Sequence, residues 1–343
     1  MDRISMTVLF IGNFLSRSKG TLNPSEKIGA LLQKENIGVL MASAYTNKVI
    51  RLLDIIRSIL FSRFDIGHVD VFSGQAFTIA SVAARLIKWR GKPLILNLHG
   101  GALPEYYPKA KDRVRAAFLM ADQLCTPSMY LKNYFEKEGF DIQYLPNFIE
   151  LEQFPYTPHQ VPSEPLKLLW VRAFIHIYNP KLPIEMVRIL AEKGHSIQLT
   201  MVGPDKGMMA ECKALISRYH LEKHITITGK IPNHELSRYY QDSDLFINTT
   251  SYESFGVCVL EAAASGLPVI SSRVGEIPYL WEDGQTILLT DAISSEAFAE
   301  KVEQVIKQPD MLKTIAQHAF ERSQAFSWAN LKPQWLSLLK TSA

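Results

Sequence analysis

A chain of 343 residues is long enough for two domains of ordinary size, each with a core of its own. Its composition, 47% apolar and 21% charged, is that of a soluble globular protein and excludes long low-complexity tails. The formal net charge is only +3, so no nucleic-acid partner is expected. The three cysteines are widely spaced without a C-x-x-C pair, which excludes a disulfide framework and makes a reducing cytoplasm the expected compartment.

The first fifteen residues contain an arginine followed by an apolar run, as a signal peptide does. No small-residue cleavage site follows, and the run ends at Gly12 and Asn13. We therefore interpret it as the first buried strand of a doubly wound sheet. No apolar stretch along the chain reaches the ~18 residues that a membrane-spanning helix needs.

Short apolar runs alternate with helix-length segments along the whole chain, which predicts parallel sheets covered by helices on both faces. The predicted strands of the first half are 8–11, 38–42, 67–71, 94–98, 123–126 and 143–145. Those of the second half are 166–171, 197–202, 225–228, 245–247, 268–270 and 286–288.

The segment between the two halves holds four prolines in twelve residues, 154–165, and this predicts a linker. The expected organisation is a first domain over 1–154, a linker over 155–165, a second domain over 166–325 and a final helix within 326–343.

Positive charge is concentrated in the first half, where residues 44–130 hold 12 basic and 6 acidic side chains. Lys48, Arg51, Arg57 and Arg63 interleave with apolar residues in a helix-like segment, and a second basic cluster surrounds Trp89. Two interpretations stay open: a surface that docks on anionic lipid, and an ordinary helix with a solvated basic face.

Two carboxylates define the most informative stretch, residues 244–270. An apolar run predicts a buried strand that ends in a polar loop, and the Ala-rich segment from Val257 to Gly266 predicts a packed helix with a glycine stop. Gly256 then lies at a helix N-terminus, which favours an anion such as a diphosphate. Glu253 lies just before this turn and Glu261 lies inside the helix. As acceptor-only groups they suit sugar hydroxyls better than phosphate.

This stretch resembles the E-x7-E motif of retaining family-4 glycosyltransferases, and the resemblance extends from about residue 60 to 330. A G-x-P-V-I segment follows at Gly266, as it does in that family. Further motifs occur in the family's order: His99-Gly100-Gly101 after an apolar run, Leu145-Pro146-Asn147, Gly229-Lys230-Ile231-Pro232 and Asp283-Gly284. The resemblance implies an α/β protein of GT-B fold, with two Rossmann-like doubly wound parallel-sheet domains facing an interdomain cleft. It also implies that the final helix crosses back onto the first domain.

The family pattern implies roles for individual residues of the second half. Arg172, directly after a predicted strand, aligns with the arginine that binds the donor phosphates. The family's lysine, about five residues further on, is replaced by Ile177, so Lys181 is the nearest candidate, reached through an unusual insert at 176–180. Glu261 would bind the ribose and Glu253 would face the donor sugar. The other expected donor-binding residues are Phe255, Gly256, Val257, Ile231, Gly203 and Pro204.

In the first half, His99 is the expected catalytic candidate, because it follows a strand and precedes two glycines, Gly100 and Gly101. Gly12 and the loop 16–20 follow the first strand and are candidates for contact with the acceptor or the donor phosphate.

Two other motifs are discounted. Asp242-Ser243-Asp244 is interpreted as a capping or surface element and not as a metal site. Asn248-Thr249-Thr250 fits an N-glycosylation acceptor, which a cytoplasmic chain does not use.

The leading hypothesis is a retaining, metal-independent glycosyltransferase without cofactors. Its donor would be a nucleotide-diphosphate sugar, with a UDP-sugar favoured over GDP-mannose. Its acceptor would be a glycan or a lipid-linked glycan of the cell surface. Alternatives are a nucleotide-sugar epimerase on the same fold, and a non-catalytic partner subunit that binds the nucleotide sugar. A dehydrogenase is disfavoured, because no G-x-G-x-x-G follows any predicted strand.

Overall fold

The structure, a computed structural model, describes residues 6–12, 14, 24–158 and 164–342. It divides into two compact units, one formed by Met1–Phe148 with Leu331–Ala343 and the other by Ile149–Asn330. The division follows Phe148 and not residue 154, because Ile149 and Phe154 are buried in the core of the second unit. Residues 159–163 of the predicted linker lie outside the described residues.

The first unit contains a six-stranded parallel sheet in the order β2-β1-β3-β4-β5-β6. Strands β3 and β4 are buried at every position, which explains why their sequences are mostly apolar, with His68, Asp70 and Asn97 as the polar residues. The strands are β1 (Thr7–Ile11), β2 (Gly38–Ala42), β3 (Ile66–Val71), β4 (Leu94–Leu98), β5 (Gln123–Thr126) and β6 (Gln143–Tyr144). The α-helices are Pro24–Lys34, Lys48–Phe61, Gln75–Trp89, Leu103–Tyr106, Lys111–Phe118 and Met129–Lys137.

The second unit contains another six-stranded parallel sheet, in the order β12-β11-β10-β7-β8-β9. The strands are β7 (Leu166–Val171), β8 (Ile197–Val202), β9 (Ile225–Gly229), β10 (Leu245–Asn248), β11 (Val269–Ser272) and β12 (Leu288–Thr290). The α-helices of this unit are Leu182–Glu192, Met209–Arg218, Asn233–Gln241, Val257–Ala264, Ile277–Leu280, Ser295–Lys307 and Asp310–Ser323. The last α-helix, Trp328–Ser342, begins in this unit, and its residues from Leu331 onward belong to the first.

The predicted α/β class and the two doubly wound sheets are confirmed, and each predicted strand is present within about two residues of its expected ends. The strand order determines where each sheet offers a binding site. In an open parallel sheet the ligand crevice lies beyond the carboxyl ends of the two neighbouring strands whose connections run in opposite directions. Those strands are β1 and β3 in the first sheet, and β7 and β10 in the second.

Candidate functional site

In the second unit, Arg172 and Asn248 lie at the carboxyl ends of β7 and β10, the two strands that flank the crevice. Nε and Nη2 of Arg172 donate to Oδ1 of Asn248 at 3.3 and 3.1 Å. Nη2 also donates to Oε2 of Glu253, and both side chains of this ion pair are 8% exposed. Nη1 makes none of the hydrogen bonds given by the described residues, so it is available to a ligand. Strand order therefore brings together two of the three residues expected to be catalytic in this protein, Arg172 and Glu253.

The groups around Arg172 keep its guanidinium protonated. Burial by itself lowers the pKa of this guanidinium, but Glu253 together with Cys258, Tyr178 and Tyr240 raises it by more, so the pKa lies above its usual value. The ring of Tyr178 lies under the guanidinium, with its centroid 4.9 Å from Cζ. Arg172 is consequently a permanent, buried cation at the crevice of the sheet.

A short helix begins beside this cation, as the sequence predicts. Gly256 has φ +91°, and a Cβ at this position would lie 2.9 Å from Cδ1 of Ile277, so a side chain would be both strained and crowded. The helix Val257–Ala264 begins directly after it, and the first N–H groups of a helix have no acceptor within the helix. The side chain of Phe255 is buried against Phe326, so only its backbone faces this turn.

Glu261 lies on the same helix and is bound by Tyr240, whose hydroxyl donates to Oε2 at 2.8 Å. Tyr240 is buried, and burial together with Glu261 raises the pKa of its phenol. Cys258 lies one turn before Glu261, and burial raises the pKa of its thiol to about 12. Cys258 therefore remains a thiol near neutral pH and does not serve as a nucleophile.

The insert at 176–180 separates Arg172 from Lys181, the nearest candidate for a second phosphate-binding cation. Nζ of Lys181 pairs with Oε2 of Glu211 at 2.5 Å, and no described contact joins it to Arg172 or Glu253. Instead, the insert supports the loop before Glu253: the N–H of Ser251 donates to the carbonyl of Ile177 at 2.8 Å. It also places Tyr178 against Arg172.

The remaining expected donor residues surround the same edge of the sheet. Gly203 follows β8 with φ +149°, and a Cβ there would lie 1.8 Å from the carbonyl oxygen of Arg172. The carbonyl of Pro204 accepts from the N–H of Phe174 at 2.9 Å. Ile231 is half-buried and packs against the cluster that includes Tyr240. Gly203 and Pro204 thus shape the backbone at Arg172 without offering a side chain of their own.

In the first unit, His99 directly follows β4, and Nε2 of its ring lies 3.2 Å from Oδ1 of Asp70 on β3. The His99 side chain is 14% exposed and its ring stacks on Phe72 at 5.5 Å. The Ser25 hydroxyl also donates to the Asp70 carboxylate, with its Oγ 3.0 Å from Oδ1 and 2.8 Å from Oδ2. Burial by itself raises the pKa of Asp70, but His99 and Ser25 together lower it, so the carboxyl is ionised.

Gly12 lies at the end of β1, beside Asp70 and therefore at the crevice of the first sheet. A Cβ at Gly12 would lie 2.6 Å from Oδ2 of Asp70, so the missing side chain leaves room for this carboxylate. Gly100 has φ +85° and its carbonyl accepts from the N–H of Leu103, so Gly100 and Gly101 form the turn after His99. The loop 16–20 lies outside the described residues.

Sequence reasoning missed Asn248, Tyr178 and Cys258 in the second unit, and Asp70, Ser25 and His68 in the first. These residues were missed because each lies in or beside a segment that was interpreted as core, loop or insert and not as part of a binding site. For Asp70, a carboxylate one residue before the end of a buried, mostly apolar strand was the available signal. The ring of His68 is buried between Phe10 and Trp335, at centroid distances of 4.6 and 5.7 Å. Neither of its ring nitrogens has a hydrogen-bond partner among the described residues.

The discounted D-x-D has structural contacts. Oδ2 of Asp244 accepts from the N–H of Lys167 at 2.8 Å, and Asp242 pairs with Arg238 at 3.3 Å. Across residues 6–12, 14, 24–158 and 164–342, no group of three or more His, Cys, Asp or Glu side chains is arranged to hold a metal ion. Over the same residues, no helix is long and apolar enough to cross a membrane.

Comparison with known proteins identifies part of the chain. Residues 157–322 match the model of the family described as Glycosyl transferases group 1. A D-inositol 3-phosphate glycosyltransferase of Arthrobacter sp. (strain FB24) is 29% identical over 292 residues, covering 76% of this chain and 68% of that protein. The putative teichuronic acid biosynthesis glycosyltransferase TuaC of Bacillus subtilis (strain 168) is 27% identical over 267 residues, covering 75% and 65%. The match to a D-inositol 3-phosphate glycosyltransferase of Corynebacterium glutamicum (strain R) spans only 28% of that protein.

Solved structures share the fold over nearly the whole chain. The Anabaena protein Alr3699/HepE, crystallised with UDP and glucose, has a TM-score of 0.75 at 16% identity, covering 98% of this chain and all of the other. A sucrose-phosphate synthase from Thermosynechococcus elongatus has a TM-score of 0.76 at 16% identity, covering 98% of each chain. The GT-B fold expected from the sequence is confirmed.

Proposed function

We propose that this protein is a retaining, metal-independent glycosyltransferase, because residues 157–322 match the group 1 glycosyltransferase model. Its donor is a nucleotide-diphosphate sugar, with UDP-sugars favoured over GDP-mannose. Its acceptor is a glycan or lipid-linked glycan of a cell-surface polysaccharide. The observation that carries the proposal is the buried Arg172–Glu253 pair beside the helix that begins after Gly256. The UDP in the HepE crystals and the polysaccharide role in the name of TuaC support the same assignment.

In this proposal, Arg172 and the first turn of the helix Val257–Ala264 bind the diphosphate. The helix N-terminus favours an anion, and the guanidinium of Arg172 supplies a charged donor near it. As the bond from the sugar to the diphosphate breaks, negative charge grows on the leaving oxygen. A preorganised donor at this position contributes about 3 kcal/mol to the transition state.

The two glutamates recognise the neutral parts of the donor. Glu253 accepts a hydrogen bond from a sugar hydroxyl while Arg172 keeps its carboxylate in place. Glu261, oriented by Tyr240, accepts from the ribose hydroxyls. The acceptor oxygen forms its bond to the anomeric carbon on the face that the diphosphate leaves, so the anomeric configuration is retained. The proton of the acceptor hydroxyl passes to the leaving phosphate oxygen.

The first unit holds the acceptor in this proposal, with His99 and its partner Asp70 near the acceptor hydroxyl. Asp70 does not need to contact the substrate to matter, because it fixes the orientation of the His99 ring. The protein acts in the cytoplasm, in peripheral contact with an anionic membrane through its basic first-half surface.

A screen of nucleotide sugars tests the proposal. The purified chain is incubated with UDP-glucose, UDP-galactose, UDP-N-acetylglucosamine and GDP-mannose, each with and without EDTA, and the release of free UDP or GDP is measured. We expect hydrolysis of one UDP-sugar, with water as the acceptor, at the same rate in EDTA. An NMR spectrum recorded before the released sugar mutarotates should show the anomeric configuration of the donor. Release from none of them, or release that EDTA abolishes, would overturn the proposal.

The placement of Lys181 favours a second candidate function, a non-catalytic partner subunit that binds a nucleotide sugar. Lys181 pairs with Glu211 and leaves Arg172 as the cation at the site. Titration calorimetry separates the two functions. A micromolar affinity for UDP-sugars without any turnover would favour the binding subunit, and conversion of the donor to another UDP-sugar without acceptor would indicate an epimerase.

A further inference from the structure

A cavity of about 510 Å³ lies in the first unit, between the helices Lys48–Phe61 and Gln75–Trp89. Its wall is mostly apolar, with Val49, Leu52, Ile55 and Ile79 among the lining residues. The cavity is within the size range of sites for small molecules, and at about 30 Å³ for each water-sized group it has room for a chain of ten carbons.

The residues that line this cavity differ in burial. Asp70, beside Gly12 at the crevice of the first sheet, is 8% exposed and marks the inner end of the cavity. The Asp70 carboxylate is ionised and accepts hydrogen bonds only. Val49 is 67% exposed and marks the rim, and the polar residues Arg51, Gln75 and Thr78 also line the cavity. The lining therefore combines apolar side chains with a buried hydrogen-bond acceptor.

This arrangement fits one kind of occupant. A free sugar in the cavity would bring several hydroxyls against apolar walls, and each unpaired hydroxyl costs free energy. A phosphate at the inner end would face the negative charge of Asp70. An alkyl chain matches the walls, and a neutral hydroxyl matches Asp70.

We propose that this cavity binds the hydrocarbon part of an amphipathic glycoside acceptor, with a hydroxyl of its neutral head accepted by Asp70. The inference deepens the proposed function and rests on it, since it names the class of acceptor that the first unit takes. Gly12 contributes by leaving room beside Asp70 that any side chain would fill.

Binding of hexyl, octyl and decyl β-D-glucosides to the full chain tests the inference, by calorimetry below the concentrations at which they form micelles. Each added CH₂ buried in an apolar site tightens binding about threefold to fourfold, so we expect roughly a tenfold gain for every two carbons. Asp70→Asn should weaken all three ligands by a similar factor, because it changes the head contact and not the chain contact.

Ala76→Phe is the blocking variant, because Ala76 is a half-buried lining residue in the first turn of the helix Gln75–Trp89. It should remove the dependence on chain length. Ala329→Phe is the matched control, an exposed alanine in the first turn of the helix Trp328–Ser342. It should leave the dependence unchanged. If Ala76→Phe does not fold, Thr78→Trp blocks the cavity from an exposed lining position.

Affinity that does not rise with chain length, or that rises equally in Ala76→Phe and the unsubstituted chain, would overturn the inference. The readout is binding, so it does not depend on turnover. Length-dependent binding without nucleotide release from any donor would support the cavity assignment and reject the transferase.

Discussion

At the scale of single residues, the pair of Arg172 and Glu253 makes the sharpest prediction. Glu253→Gln keeps the size of the side chain but removes the charge that faces Arg172 and weakens the acceptor for the sugar hydroxyl. We expect nucleotide release to fall by about 100-fold, the size of effect seen when one preorganised polar group is lost from an active site. The measurement is the rate of release with the donor found in the screen.

The control for this substitution is Glu222→Gln, which changes an exposed glutamate of the same unit. It should retain full activity. An unchanged rate in Glu253→Gln would show that Glu253 is not part of the donor site.

His68 makes a second prediction at the residue scale. Burial is the main cause that lowers its pKa to about 4, with the charge of His99 acting in the same direction and Asp70 opposing it. Below the usual histidine pKa of about 6.5, the unfolded chain binds a proton that the folded chain does not. Stability contributed by neutral His68 is therefore present at neutral pH and is lost as the pH falls from about 6.5 to about 4.

His68→Phe removes this loss while keeping an aromatic ring between Phe10 and Trp335. Between pH 7 and pH 4, the free energy of unfolding of the unsubstituted chain should fall by roughly 2–4 kcal/mol more than that of the variant. Urea denaturation at a series of pH values measures the difference. Parallel curves for the two proteins over this range would contradict the expected burial of a neutral imidazole.

At the scale of elements, the helix Lys48–Phe61 has one buried face and one exposed face that carries apolar side chains. Ile55 and Ile59 are buried in the core, as in an ordinary packed helix. Ile50 and Leu53 are 48% and 60% exposed, and Phe61 at its end is 81% exposed. Exposed apolar side chains among arginines are typical of a surface that lies on an anionic bilayer.

The joint substitution of Ile50 and Leu53 by serine tests this surface, because neither residue lines the cavity. Burial of such a side chain in lipid contributes about 1.5–3 kcal/mol, so we expect binding to phosphatidylserine-containing vesicles to fall by at least tenfold. Leu119→Ser is the control, since Leu119 is 70% exposed in the same unit outside this helix. Sedimentation with vesicles is the measurement, and equal binding by all three proteins would exclude this helix as the contact.

At the scale of the whole molecule, each sheet presents one crevice, with Arg172 and Asn248 in the second unit and Gly12 and Asp70 in the first. If the donor binds only the second crevice, UDP alone should stabilise the protein by mass action. At 100 times its dissociation constant, this gain is about 2.7 kcal/mol. Thermal unfolding with and without UDP should show a higher midpoint, and Arg172→Ala should abolish the shift. A full shift in that variant would place the nucleotide elsewhere.

Much of this organisation was predictable from sequence because it is local. A parallel strand that is buried on both faces is mostly a run of apolar residues, and Gly256 marks a helix start by its position before an apolar, Ala-rich segment. The roles of Glu253, Glu261 and Arg172 were predicted from their places in motifs that resemble those of family-4 glycosyltransferases. The position of Lys181 in the chain suggested a phosphate ligand, whereas its pairing with Glu211 depends on how two helices pack.

The sequence by itself determined the alternation of strands and helices, the positions of the two glutamates and the presence of two similar halves. Only the tertiary structure decided which carboxyl ends are neighbours. Placing β7 beside β10 makes Asn248 the partner of Arg172. Placing β1 beside β3 brings Gly12 to Asp70. The physical reason is that strand order depends on contacts between residues far apart in the chain, and no local pattern records them.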